Sequence, residues 1–370
     1  MFFIITYDTM YIRNFSLGIC LSLFILFSCT QKEENYETIK LTNTEFSDWS
    51  SLIKVNDIVP LGSEADSVFL SLAQKCIIGT NRILFWDYKA KTVYVFNHKG
   101  DFLFTAGRRG NARNEYIDLR DVNFNKDESN IEILDLSGIK VYNSENGSFI
   151  CKREIDNIDM GNFYSFMPYD KKSYLLFSTN KDYSIYQLDS VSVLTGLRER
   201  KGYQLVYSHF LYSNTNYVVY PDYGQFTINN YENGQLKPKY HVDFNGQNLP
   251  EEYLPKNYDE FNKTDNMQSY FKSILSIQEN SDYLYLRTAG PSQTYYDVFY
   301  NKKSGQAYAG PSDKDTGLTV IGASSDTFYA LIYPDFVTKE SYIYNLIKDY
   351  LDKGFMNPLL VTFKIQENPS

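Results

Sequence analysis

A strand–turn–strand pattern recurs along the chain, and it limits the possible folds more than any other feature. The clearest copies are residues 93–103 (VYVFNHKGDFL) and 139–150 (IKVYNSENGSFI), which begin about 46 residues apart. Weaker copies are residues 225–236 and 296–306. In each copy a polar turn with glycine joins two short runs rich in aromatic and β-branched residues, as in paired strands. The spacing is typical of the four-stranded blades of a propeller.

The composition and the length of the repeat favour six blades. Aromatic residues make up 17% of the chain, which suits pleated strands. Residues 58–366 would give about 51 residues per unit in six blades and about 44 in seven, and a polar, loop-like insertion at residues 249–267 favours six. The sequence therefore predicts an all-β fold, a six-bladed β-propeller. The last run, residues 358–365, has no hairpin partner after it, so we expect it to close the ring with residues near 58–61.

One segment has a helical rather than a strand period. In residues 339–351 the apolar side chains recur at i, i+3 and i+4, and Gly354 and Pro358 follow as stop signals. This pattern predicts a short amphipathic helix inserted near the C-terminus, packed against the propeller.

The first thirty residues read as an export signal. Residues 15–27 form an apolar run after Arg13, shorter than the roughly 20 residues that a membrane-spanning helix needs. The run ends at Ser28 and Cys29 and is similar to a bacterial lipobox, in which the cysteine is diacylated and becomes the mature N-terminus. We predict a signal peptide at residues 1–28, a lipidated N-terminal tether at 29–50 and the propeller at 51–370. Met10 opens a conventional signal peptide and is an alternative start to Met1.

Three residues after this cysteine bear on location. Lys32, Glu33 and Glu34 resemble the short signal that sends lipoproteins of some Gram-negative gut bacteria to the outer face of the outer membrane. The resemblance implies an outer membrane lipoprotein exposed at the cell surface, with a periplasm-facing location as the alternative.

Charge and cysteine content narrow the partners. The net charge of −9 gives no electrostatic attraction to nucleic acid or to an anionic membrane surface, so membrane contact is predicted through the N-terminal lipid only. Cys76 and Cys151 could pair in an oxidising compartment. Each also lies in a strand-like run, and we predict free, buried thiols.

Residues 106–122 carry a resemblance to a known family. Their sequence, AGRRGNARNEYIDLRDV, resembles the connection between blades in the six-bladed β-propeller lipoproteins, relatives of the NHL-repeat propellers. Gly107, Gly110, Glu115 and Tyr116 match the family motif, while residues 112–114 replace its Gly-Pro-Gly core. Glycine suits a tight turn with positive φ, and Glu115 and Tyr116 could anchor that turn by hydrogen bonding. All four residues are therefore predicted to be structural. The resemblance implies a fold and a location rather than an activity.

The sequence offers little for catalysis. The three histidines are His98, His209 and His241, and neither a Gly-x-Ser-x-Gly nor a His-Glu-x-x-His motif is present. We therefore predict no catalytic residue, metal ligand or cofactor. Acidic residues that a propeller could gather at its mouth are Asp118, Asp121, Asp135, Asp222, Asp243, Asp297 and Asp335.

Aromatic side chains are the more suggestive feature, because their faces can stack on sugar rings. They are Tyr207, Phe210, Tyr212, Tyr217, Tyr220, Tyr223, Tyr295 and Tyr296. Packing within and between blades is the alternative role. The sequence as a whole predicts a lipid-anchored module that binds or scaffolds a protein or glycan partner. The alternative is an extracellular carbohydrate-active hydrolase or lyase that uses carboxylates at the propeller mouth.

Overall fold

The computed structural model describes residues 36–62, 68–153, 155, 158–206, 208–213, 216–312 and 318–366. In this part of the chain the strands form six small sheets, five of four strands and one of five. The prediction of an all-β, six-bladed propeller is confirmed. None of the helices among the described residues has the length and apolar character to cross a bilayer.

The first elements are strand β1 (Glu37–Lys40), helix α1 (Trp49–Leu52) and strand β2 (Ile53–Pro60). Blade 1 contains β3 (Ala73–Ile78), β4 (Ile83–Asp87), β5 (Thr92–Phe96) and β6 (Phe102–Thr105). Blade 2 contains β7 (Asp121–Phe124), β8 (Asn130–Asp135), β9 (Gly138–Asn143) and β10 (Phe149–Arg153). Blade 3 contains β11 (Phe163–Asp170), β12 (Ser173–Ser178), β13 (Tyr183–Leu188) and β14 (Leu194–Glu199).

Blade 4 contains β15 (Phe210–Ser213), β16 (Asn216–Val219), β17 (Thr227–Glu232) and β18 (Gln235–Asp243). After helix α2 (Tyr258–Asp265), blade 5 contains β19 (Ser273–Glu279), β20 (Tyr283–Ala289), β21 (Tyr295–Asn301) and β22 (Ala307–Pro311). Blade 6 contains β23 (Leu318–Ser324), β24 (Thr327–Ile332) and β25 (Leu359–Ile365), with helix α3 (Tyr344–Asp352) before its last strand. Short 3-10 turns lie at Met160–Asn162, Glu251–Tyr253, Pro291–Gln293 and Pro334–Phe336.

Burial follows the position of a strand within its blade. Every residue of β4 and of β12 is buried, because neighbouring blades cover both faces of these second strands. In the outer strand β6 burial instead alternates from residue to residue. The core therefore lies between blades, as where Leu84 and Val93 of blade 1 pack with Val122 and Ile131 of blade 2. A single blade cannot bury its own apolar faces, which explains why the repeats occur as a ring.

The two ends of the chain close this ring. Strand β25 lies between β24 and β2 in the sixth sheet, and it pairs with β2 in the antiparallel direction. The prediction that the last run completes a blade with residues near 58–61 is confirmed.

Residues 37–60, here called the N-terminal strap, contact three successive blades. Strand β1 adds a fifth, parallel strand to blade 4, with Ile39 opposite Val242. Phe46 then donates its backbone N–H to the Ala309 carbonyl of blade 5, at 2.9 Å. Residues 37–50 belong to the stretch predicted as a tether. The structure packs them on the propeller, because Ile39 and Leu41 bury almost all of their apolar side chains.

The predicted helix near the C-terminus is present, but it begins five residues later than expected, at Tyr344. The backbone N–H of Ile343 donates to the Ser341 hydroxyl at 3.1 Å, so the residues just before the helix form a turn. Ile343 and Ile347 are fully buried against Leu359 in blade 6. The amphipathic face thus packs on the last blade.

Candidate functional site

A channel of about 420 Å³ lies between the innermost strands of the propeller. Strands β3, β7, β11, β15, β19 and β23, one from each blade, all contribute to its lining. Small-molecule sites commonly have volumes of roughly 300–1,000 Å³. The channel is therefore large enough for a small molecule or for the end of a longer chain.

β-Bulges in three of the innermost strands shape this lining. The register with the second strand shifts around Gln74 in β3, Leu275 in β19 and Ile321 in β23. All three of these extra residues line the channel. A bulge re-aims a side chain that regular alternation would send elsewhere, so the bulges help to determine what the channel presents.

Neutral hydrogen-bonding side chains are the main polar groups of the channel. They are Asn123, Asn125 and five others: Gln74, Ser208, Ser276, Gln278 and Thr319. None of these five others hydrogen-bonds through its side chain to another described residue. Gln278 is only 7% exposed and lines the channel. A molecule in the channel can therefore hydrogen-bond with its amide.

An aromatic pair adds an apolar surface. Tyr212 and Tyr217 are partners across β15 and β16, their ring centroids are 4.9 Å apart, and both line the channel. The Tyr217 hydroxyl donates to the Tyr169 carbonyl at 2.7 Å, which fixes that ring. Burial, with nearby Tyr212 and Asp170, raises the pKa of Tyr217 to about 12. Tyr212 lies against this fixed ring and is 42% exposed.

One lysine of the channel is tied to a buried acid. Lys75 Nζ lies 2.8 Å from Asp121 Oδ1 and 3.2 Å from Asn123 Oδ1. The other Asp121 oxygen accepts hydrogen bonds from the Ser165 hydroxyl at 2.8 Å and the Phe166 N–H at 2.9 Å. The network joins blades 1, 2 and 3 and neutralises Lys75. The other charged groups in the lining are Lys126 and Glu128, of opposite sign.

One protein-family model matches the sequence of the whole propeller. A model of the family described as a domain of unknown function, DUF4934, matches residues 33–369. The chain belongs to this family. Among curated proteins, none matches the chain.

Two crystal structures show how widely the DUF4934 fold is shared. A candidate exported protein from Bacteroides fragilis is 17% identical, with a TM-score of 0.69 over 90% of this chain and 100% of its own. A member of the DUF4221 family from Bacteroides vulgatus is 11% identical, with a TM-score of 0.56 over 85% of this chain and 98% of its own. At such identities the likeness shows the fold alone.

The acids named from the sequence do not gather at the DUF4934 channel. None of the seven lines it, and Glu128 is the one described carboxylate that does. Asp135 instead accepts the backbone N–H groups of Ile117 and Asp118 at 3.0 and 2.9 Å. Asp222 pairs with Arg198 at 2.9 Å.

The other four acids also lie outside the channel lining. Asp297 pairs with Arg287, also at 2.9 Å. Asp118 and Asp335 are exposed, Asp118 beside Arg120, and Asp243 is half-buried at the end of β18. Within the described residues no group of three or more histidine, cysteine and acidic side chains could hold a metal ion.

The histidines and cysteines lie in structural surroundings. His98 Nε2 is 2.9 Å from the Gly79 carbonyl oxygen, and His241 Nδ1 is 3.0 Å from the Thr227 hydroxyl. His209 is fully buried and stacks on a phenylalanine ring. Cys76 and Cys151 are free thiols, and burial raises the pKa of Cys76 well above its usual range.

The structure brings the four family-motif residues together in one turn between blades 1 and 2. Glu115 accepts hydrogen bonds from Arg108 Nε at 2.6 Å and from the Ala112 N–H at 2.9 Å. These bonds and the Arg108 charge hold the pKa of Glu115 below its ordinary value. A Cβ on Gly110 would lie 2.0 Å from the Glu115 carboxylate, so a larger residue there would displace this carboxylate from its hydrogen bonds.

The other two motif residues anchor the same turn. Tyr116 is fully buried, and its hydroxyl donates to the Lys91 carbonyl at 3.0 Å. Gly107 has a φ of +67°. With this backbone conformation a side chain at residue 107 would be strained. None of the four motif residues lines the channel.

The aromatic residues divide between core and surface. Phe210, Tyr220 and Tyr223 are buried in the core, whereas Tyr212 and Tyr295 are exposed. Tyr296 packs against Phe271 at 5.0 Å between ring centroids. Tyr207, Cys29, Lys32, Glu33 and Glu34 lie outside the described residues.

Proposed function

We propose that this protein is an exported binding module, anchored to the cell envelope, that takes a ligand into the central channel of its propeller. The observation that carries the proposal is the channel itself, which all six blades line. Gln278, buried in that lining without a partner among the described residues, supports it. The likeness to a candidate exported protein from Bacteroides fragilis agrees with an extracellular location.

The anchor is part of the same proposal. Lipidation of Cys29 after removal of residues 1–28 would tether the propeller to the outer membrane, and Lys32, Glu33 and Glu34 would direct it to the cell surface. The likeness of residues 106–122 to NHL-like propeller lipoproteins supports this location.

The partner is a protein or a glycan, which the module binds or scaffolds. The rival function, a carbohydrate-active hydrolase or lyase, would need two carboxylates about 5–10 Å apart at one site. Glu128 is the one acid among the described lining residues, so no observation favours that function.

A binding screen tests the proposed function. The lipid-free protein beginning after Cys29 is applied to an array of oligosaccharides and used as bait for envelope and medium proteins, with every hit titrated by calorimetry. We expect a saturable ligand that protects the channel residues from hydrogen exchange. Hits that all leave the channel unprotected would contradict a channel-based function.

The anchor is tested in cells. Cys29→Ser should move the protein from the membrane fraction to the soluble fraction and abolish labelling by a palmitate analogue. Replacement of Lys32, Glu33 and Glu34 by alanine should keep the lipid but protect the protein from protease added to intact cells. Unchanged fractionation of the Cys29→Ser variant would refute the lipid anchor.

A further inference from the structure

We infer that the channel takes a neutral saccharide, an inference that rests on the proposed binding function. Tyr212 and Tyr217 of blade 4 and Ser276 and Gln278 of blade 5 are among the residues that line it. These four residues are here called the saccharide subsite.

The hydrogen-bonding groups of the subsite match sugar hydroxyls. A glutamine amide offers two donor hydrogens and an acceptor oxygen, and a serine hydroxyl both donates and accepts. Sugar hydroxyls also do both, so they can satisfy either side chain. No hydrogen bond joins the side chain of Gln278 or of Ser276 to another described residue, and Gln278 is 7% exposed. Unpaired amides of this kind discriminate strongly against ligands that lack a matching group.

The aromatic pair supplies the apolar contact. Tyr212 is 42% exposed beside the channel. Its ring packs against Tyr217, which is fixed by a hydrogen bond to the Tyr169 carbonyl. Tyrosine gives a large, rigid, partly apolar surface at a small entropic cost. The C–H face of a sugar ring suits that surface, while its hydroxyls can hydrogen-bond with polar side chains of the lining.

The charge of the channel favours a neutral ligand over an acidic one. Lys75 is paired with Asp121 at 2.8 Å. Lys126 and Glu128 add one charge of each sign to the lining. An anionic sugar or a phosphate would find no cluster of free cations among the described lining residues. A neutral saccharide carries no charge, so its entry does not require the desolvation of a charged group.

The size of the channel favours the end of a glycan over a folded protein as its ligand. A protein–protein interface buries about 800 Å² on each partner, over a broad surface. A cavity of about 420 Å³ instead admits a few sugar rings or a short peptide. The short peptide is the competing ligand, and the experiment must distinguish it.

The experiment compares ligands and variants in one binding assay. Lipid-free wild-type protein is titrated with neutral oligosaccharides (gluco-, manno-, xylo- and galacto-hexaoses), with oligogalacturonate and with a random hexapeptide library. Hits are measured again with Tyr212→Ala and Gln278→Leu. The matched controls are Tyr295→Ala and Gln235→Leu, exposed residues of the same types outside the channel lining.

We expect one of the neutral hexaoses to bind. Its Kd should weaken about 10-fold in Tyr212→Ala through loss of the ring contact and about 3- to 10-fold in Gln278→Leu through loss of hydrogen bonds. The two controls should bind as the wild type does. Because Tyr212 is exposed, its variant keeps the test valid even if Gln278→Leu fails to fold.

Three results would overturn the saccharide inference. These are preference for oligogalacturonate or for peptides, neutral-sugar binding that neither channel variant weakens, and equal weakening by the controls. Peptide or acidic-sugar binding that the channel variants weaken would leave the proposed binding function intact. Protein that binds none of the probes, and captures no partner in the wider screen, would refute both.

Discussion

Ile58 of β2 and Val361 of β25 are partners across the outer two strands of blade 6, so the second and the last strand of the described chain share one sheet. Strand β25 is a central strand of that sheet, with Val361 also opposite Ala330 of β24. Closing a ring in this way leaves no open blade edge between the first and last repeats. The stability of the whole propeller should therefore depend on this one junction.

Two truncations test the closure. A chain that stops after Pro358 lacks β25, leaves β2 and β24 without their shared partner, and should lose cooperative thermal unfolding in circular dichroism. A chain that stops after Gln366 keeps every residue of β25 and should melt as the full chain does. Equal melting temperatures of the two truncated chains would show that the ring does not need this strand.

The N-terminal strap should contribute strongly to stability through Trp49. Its side chain is 5% exposed, packs 4.9 Å from the Phe46 ring and donates its indole N–H to the Pro311 carbonyl at 3.1 Å. Trp49→Ala should lower the free energy of unfolding by about 3–5 kcal/mol, the usual cost of such a truncation in a core.

The matched control for Trp49 is Phe69, which is 83% exposed. Phe69→Ala should change the free energy of unfolding by about 0.5 kcal/mol or less. Urea denaturation followed by fluorescence and circular dichroism measures both. A loss below about 1 kcal/mol in Trp49→Ala would mean that the strap is only loosely held.

The sequence predicted the blades because their signal is local. The turns near Gly100 and Gly147 lie within single hairpins, and the alternation of apolar residues needs no knowledge of the rest of the chain. The polar insertion at residues 249–267 was expected to be loop-like, but it contains helix α2. Its capping pair was readable: the Asn257 side chain accepts the Glu260 N–H at 3.0 Å, as a helix start with Asn and Glu three residues apart predicts.

The channel could not be predicted in the same way, because it gathers single residues from strands far apart in sequence. Gln278 looks like any polar residue in a strand, and nothing local indicates that its side chain lines the channel. The bulge that places Gln74 in the lining also leaves no clear mark in the sequence. The packing of the blades determines how far each aromatic residue is exposed, since Tyr220 is buried whereas Tyr212 is 42% exposed.

The inter-blade turn can be tested with two glycines of similar backbone conformation. Gly107 has a φ of +67°, and a Cβ there would lie 2.5 Å from the Tyr142 hydroxyl. Gly354 has a φ of +72°, with no atom within 4 Å of such a Cβ. Gly354→Ala should therefore cost only the backbone penalty of about 1 kcal/mol.

Gly107→Ala should cost that penalty and the clash together, about 2–4 kcal/mol in all. Urea denaturation gives both values, and their difference isolates the crowding against Tyr142. If the two variants were equally stable, the turn would have room to relax, and Gly107 would be required for its backbone angle alone.

Glu279 should make the stability of the propeller depend on acid pH. Its carboxylate lies 2.6 Å from Lys239 Nζ and 3.1 Å from Lys302 Nζ, and it accepts the Tyr240 hydroxyl at 3.2 Å. Burial acts to raise the pKa of Glu279, but the hydrogen bonds and charges of the two lysines outweigh it and leave the pKa below its ordinary value. A lowered pKa in the folded state stabilises the fold above the unfolded pKa of about 4.3, and this stabilisation is lost as the pH falls through the folded pKa.

Glu279→Gln should therefore lower the free energy of unfolding at pH 7 by about 2–3 kcal/mol, somewhat less than for a fully buried pair because both lysines are about one-fifth exposed. The deficit should narrow as the pH falls below about 4, where the wild-type carboxylate also becomes neutral. Glu232→Gln, which breaks the exposed pair with Lys237, is the control and should change little at either pH. Denaturation curves from pH 7 to pH 3 measure the difference, and a deficit that stays constant over this range would assign the role of Glu279 to packing rather than to charge.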